Sequence, residues 1–126
     1  MAGAALILAT TGLCSTAAGQ RLAVPVTLGS SESLRILWVK ADARPGGVEV
    51  SGRVRRQPFV VGPVRGHLHI EAVFGDGRPP AVADAHWMTL PARGSATAAF
   101  GTLLKTGGSD HIKLIRVEHR LHDDDQ

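Results

Sequence analysis

Val48-Glu49-Val50-Ser51-Gly52-Arg53-Val54-Arg55 alternates without a break. Successive side chains of a strand point to opposite faces, so Val48, Val50, Gly52 and Val54 share one face while Glu49, Ser51, Arg53 and Arg55 share the other. An antiparallel strand with one buried and one wet side follows. His67-Leu68-His69-Ile70-Glu71-Ala72-Val73-Phe74 repeats the pattern, with Leu68, Ile70, Ala72 and Phe74 opposite His67, His69, Glu71 and Val73.

Working outward, the rest of the chain divides into short apolar stretches separated by Gly, Pro, Ser and Asp clusters, the punctuation of sandwiches and barrels. Seven strands are predicted, at 21–28, 34–41, 47–56, 66–74, 82–90, 96–104 and 111–118. Pro58 and Pro63 lack the amide hydrogen a ladder needs, so 57–63 is a connection. Gly75-Asp76-Gly77-Arg78-Pro79-Pro80 is a turn. Trp87 is placed as a core anchor. Both faces of Leu34 to Val39 are apolar. Ile112/Leu114 and Ile115/Val117 also fall on opposite faces, which requires two-sided burial or a bulge between Leu114 and Ile115. No stretch keeps helical spacing over three turns, and no internal repeat is present. The fold class is therefore all-β, a single antiparallel β-sandwich over residues 20–118.

The ends differ from this body. Met1 to Gly19 contains no Lys, Arg, Asp or Glu and includes the apolar run Ala4 to Ala9. Small residues at Ser15/Ala17, Thr16/Ala18 and Ala17/Gly19 suit signal-peptidase cleavage, so 1–19 is read as a signal peptide cut between 17 and 20. Its apolar length is short of the roughly 20 residues a membrane span needs. Cys14 follows Leu13 rather than a small residue, which argues against lipid attachment. It leaves with the signal, so no disulfide holds the mature domain. Residues 119–126, ending Asp123-Asp124-Asp125-Gln126, are read as a polar, disordered tail with at most weak hold on a cation.

The chain has 126 residues, 14 basic and 11 acidic, for a net charge of +3. The arginines are spread out with acids between them, so nucleic acid is not indicated as a partner. Arg53, Arg55, Arg56 and Arg65 offer a group for an anionic lipid or glycan, set against the plainer reading of a charged sheet surface that resists aggregation. Gly-x-Ser-x-Gly and a phosphate loop are absent, and no pair of carboxylates is singled out by spacing.

From Val48 to Val117 the order of features resembles exported bacterial immunoglobulin-like sandwiches of the FxLYD type. The resemblance rests on the Val-x-Val-x-Gly-x-Val strand at 48–54, the strand that runs into Gly75-Asp76-Gly77, and Leu90-Pro91-Ala92-Arg93-Gly94 leading to a strand with Phe100. It implies an exported immunoglobulin-like domain with a binding or assembly role, and it assigns no functional residue.

One arrangement has ligand logic. Residues i, i+2 and i+4 of a strand point the same way, about 7 Å apart per step, so His67, His69 and Glu71 form a row. Neutral imidazole and carboxylate suit zinc or copper, and His86, His111 or His119 could supply a further ligand. The His-x-His spacing is similar to that of cupins, but Glu71 follows too closely and the second cupin motif is missing. If strands 47–56 and 66–74 pair, Arg53 and Arg55 join the same wet face, repel a cation and bind Glu71 instead. The favoured expectation is therefore a non-enzymatic binding or accessory module, periplasmic or extracellular, acting on an unidentified envelope protein or ligand. The alternative is a copper- or zinc-binding protein using His67, His69 and Glu71.

Overall fold

A computed structural model of the chain describes residues 20–91 and 94–121. Residues 1–19 and 122–126, to which the leader and most of the tail were assigned, lie outside the described residues. The described residues form eight strands: β1 (Gln20–Arg21), β2 (Val26–Gly29), β3 (Leu34–Arg44), β4 (Gly47–Arg56), β5 (His67–Phe74), β6 (Ala81–Ala85), β7 (Thr97–Lys105) and β8 (Ile112–Arg120). They form two four-stranded sheets, in the orders β1-β3-β4-β7 and β2-β8-β5-β6. The architecture is an all-β sandwich, and among the described residues no helix is long and apolar enough to cross a membrane.

The core follows from the two alternating strands. Val48, Val50 and Val54 of β4 face Leu68, Ile70 and Ala72 of β5, all six fully buried. Burying a Val, Leu or Ile side chain contributes roughly 1.5–3 kcal/mol, so the five larger of these side chains together contribute on the order of 10 kcal/mol. Gly52 belongs to the same inward row. An added Cβ there would collide with the Trp38 carbonyl oxygen and come within 2.8 Å of Phe100 Cε2. The missing side chain is thus the space into which the Phe100 ring of β7 packs.

Two-sided apolar patterns in β3 and β8 both resolve as bulges. In β3 the register slips between Ile36 and Trp38, leaving Leu37 as the extra residue. Inward parity consequently changes from Leu34 and Ile36 to Val39 and Ala41, and Trp38 turns out. In β8 the slip is at Lys113, opposite the Val73/Phe74 step, one residue earlier than expected, so Ile112 and Ile115 both reach the core. A bulge adds one residue to one strand of a pair and so reverses the side-chain phase.

Three expectations are corrected. The first predicted strand is two strands on different sheets: β1 pairs with β3, the chain crosses at Pro25, and β2 runs parallel to β8. Pro25 has no amide hydrogen to give a ladder, but its carbonyl accepts from Ile115 N at 2.9 Å. The sandwich is therefore not wholly antiparallel. The predicted strand 82–90 ends at Ala85. Trp87 then forms a single bridge to Phe100 of β7, joining the two sheets at one edge, and its side chain packs partly buried against the core. Finally, β8 continues to Arg120, so His119 and Arg120 belong to the sheet rather than to the tail.

The pairing between strands 47–56 and 66–74 is also overturned. β4 lies between β3 and β7 in one sheet, and β5 lies between β8 and β6 in the other. Pro45-Gly46, with Gly46 at φ 78°, closes β3 onto β4 as a two-residue turn, so β4 pairs along the sheet with its neighbour in the chain. The two alternating strands therefore meet through their apolar faces, across the core.

Candidate metal centre

The turn at 75–80 folds β6 back on β5 so that His69 opposes Asp84 and Leu68 opposes Ala85. One step further along, His67 and His86 lie side by side, with ring centroids 6.3 Å apart. Because β5 turns Leu68, Ile70 and Ala72 inward, His67, His69 and Glu71 are carried on the outer face, beside Asp84.

The donor atoms converge on one carboxylate oxygen. His67 Nε2 is 3.5 Å and His69 Nδ1 is 3.3 Å from Asp84 Oδ1. One donor atom from each of the three residues lies within 4.8 Å of the others. Ligand atoms around a tetrahedral zinc at about 2.0–2.1 Å are roughly 3.4 Å from one another, so two of the three separations already match. His67 is 3% exposed, His69 is half-buried and Asp84 is exposed. The group is closed on the sheet side and open to solvent at Asp84.

Glu71 stands behind this group. Its Oε2 is 3.4 Å from His69 Nε2, and its Oε1 accepts from Arg116 Nη1 at 2.8 Å. A neutral imidazole has one N–H. With that hydrogen on Nε2, His69 donates to Glu71 and directs the Nδ1 lone pair at the space shared with His67 and Asp84. An outer carboxylate that fixes the tautomer of a ligating histidine is a recurrent feature of metal centres.

The sequence placed Glu71 as the third ligand with His67 and His69. In the structure the carboxylate that approaches both imidazoles is that of Asp84, on the neighbouring strand, and Glu71 contacts His69 from the far side. Strand geometry explains the difference. Glu71 is one full two-residue step beyond His69, whereas Asp84 lies directly across the ladder. Arg53 and Arg55, expected to flank the row, are on the other sheet. Arg53 donates to Thr97 Oγ1 at 3.0 Å on β7. The cations beside the row are Arg116 and Arg120 of β8, across the ladder from Glu71 and His67, and they are engaged by Glu71 and Glu118 respectively.

Of the three histidines considered as a further ligand, only His86 adjoins the group. His111 sits in the turn before β8, beside the Phe74 end of β5 and away from His67. His119 is committed elsewhere: its Nε2 donates to the Arg65 carbonyl at 2.7 Å, which leaves Nδ1 to accept from the Ser31 hydroxyl at 2.6 Å. Burial holds the His119 imidazole below its ordinary pKa. The Arg65 carbonyl opposes that effect and the nearby His67 adds to it.

Asp84 was missed because it has no motif of its own. The signal that could have found it is the turn at 75–80, which makes 66–74 and 82–90 a hairpin and sets Asp84 and His86 opposite His69 and His67. No protein-family model, curated protein or solved structure matches the chain.

Proposed function

We propose that this chain is an exported, non-enzymatic β-sandwich that binds a divalent transition-metal ion, zinc or copper, through His67, His69 and Asp84. The observation that carries this reading is the approach of His67 Nε2 and His69 Nδ1 to a single Asp84 oxygen, with Glu71 behind His69. Two imidazoles and one carboxylate form a donor set suited to these metals, and three protein ligands leave a position for His86, water or a partner's donor. The uncharged apolar leader supports export and a role in the cell envelope.

The immunoglobulin-like comparison adds little to this reading. In constant-type immunoglobulin domains the strands divide as ABED and CFG, so the second and third strands lie on different sheets. Here the corresponding β3 and β4 form a hairpin within one sheet. The binding role rests on the histidine group instead.

Equilibrium titration of chelator-treated protein with zinc and copper tests the proposal. One bound ion per chain is expected, with loss of binding in Asp84→Ala and in the double variant His67→Ala/His69→Ala. Unchanged affinity in either variant would refute the assignment.

A further inference from the structure

Strand parity carries a guanidinium into the sandwich. Arg56 follows Val48, Val50, Gly52 and Val54 on the inward row of β4 and is 4% exposed. Its Nε donates to the Gly62 carbonyl and its Nη1 to the Gly94 carbonyl, each at 3.3 Å. Its Nη2, also buried, meets no acceptor. Among the described residues no carboxylate pairs with Arg56. Arg35 and Arg55, which oppose each other one register step away, add positive charge rather than balance it.

A buried cation is ordinarily paired, and two carbonyl dipoles do not supply a counter-charge. Beside Arg56 lies a cleft of about 680 Å³, with Arg55, Arg56 and Ser95 as its polar lining and Pro58, Val60 and Val61 as its apolar lining. The loop that forms the apolar part also holds out Phe59, 96% exposed, and Val61, 74% exposed. The cleft thus combines a planar, bidentate-capable cation that lacks an anion with an apolar wall that is open to solvent.

We propose that this cleft binds an anionic amphiphile. Its carboxylate or phosphate group sits against Arg55 and Arg56, and its apolar part lies on Pro58, Val60 and Val61. The site is separate from the histidine group and does not depend on metal.

Isothermal titration of the folded, chelator-treated protein tests this with octanoate and octyl phosphate as probes. Octanol, octyltrimethylammonium and inorganic phosphate serve as controls. At least one octyl anion is expected to bind about ten-fold or more tighter than every control. Preference for octanoate assigns a carboxylate ligand, and preference for octyl phosphate assigns a phosphate one. Arg55→Gln and Arg56→Lys should each weaken that probe about ten-fold, because lysine keeps the charge but loses the fork. Val61→Ser should weaken the octyl anion and leave inorganic phosphate unchanged. Arg55→Gln and Val61→Ser alter side chains that are not in the core, so they decide the matter even if Arg56→Lys fails to fold. Octanol binding as tightly as the octyl anions overturns the proposal, as does unchanged octyl-anion affinity in both of these variants.

Discussion

Arg116 Nη1 lies 2.8 Å from Glu71 Oε1, and this pair fixes what Glu71 can do. With one oxygen held by the guanidinium of β8 and the other facing His69 Nε2, the carboxylate is an orienting group. To become a ligand it would have to turn an oxygen away from the partner that now holds it.

Metal affinity should therefore rank the acidic residues. Asp84→Ala is expected to lower zinc affinity by more than about 100-fold, whereas Glu71→Gln should lower it only about ten-fold, the smaller effect usual for an outer-shell group. Arg53→Ala, on the other sheet, should leave it unchanged. Competition titration against a chromogenic chelator measures all three, and equal losses in Asp84→Ala and Glu71→Gln would contradict these roles.

The metal-free protein should lose stability as pH falls through the histidine range, in part because of His119. Burial holds its folded pKa below the roughly 6.5 of an ordinary imidazole, so the unfolded chain takes up the proton first. Stability is then full above about pH 6.5 and declines as pH drops from there toward the folded value. Melting curves taken from about pH 7.5 to about pH 5.5 should show Tm falling, and His119→Gln should flatten that slope. A slope unchanged by the substitution would count against His119 as its source.

Gly52→Ala should destabilise the domain by about 3 kcal/mol in urea denaturation, since overpacking here forces either the Trp38 backbone or the Phe100 ring to move. In an ordinary strand position the same change is mildly favourable, because glycine loses more chain entropy on folding. The sign of the measured change therefore distinguishes a close approach from an ordinary site.

Ile70→Ala should cost about 2–5 kcal/mol, because Ile70 is fully buried between the sheets and its removal leaves a cavity. Val82→Ala, at a position 52% exposed on β6, should change stability by less than about 0.5 kcal/mol. Comparable losses at the two positions would mean that the outer face of β6 is covered in solution.

The elements were largely legible in the sequence. Alternation is a property of a single strand, so the residues of β4 and β5 were enough to assign Val48, Val50, Val54, Leu68 and Ile70 to the core and His69 and Glu71 to the outside. Proline and glycine act just as locally, and they marked the connections at 57–63 and 75–80. Pairing is not local. Whether β4 meets β5 edge to edge or face to face depends on which arrangement buries both apolar rows and closes the Pro45-Gly46 turn. A single strand's pattern is identical in the two cases. That choice moved Arg53 and Arg55 away from the histidines and brought Asp84 and Arg116 to them. The sequence by itself singled out His67, His69 and Glu71 for a metal and Arg53, Arg55, Arg56 and Arg65 for an anion, but not Asp84. Only the tertiary structure decided which of them meet, because ligand groups assemble across strands through ladder register and sheet packing.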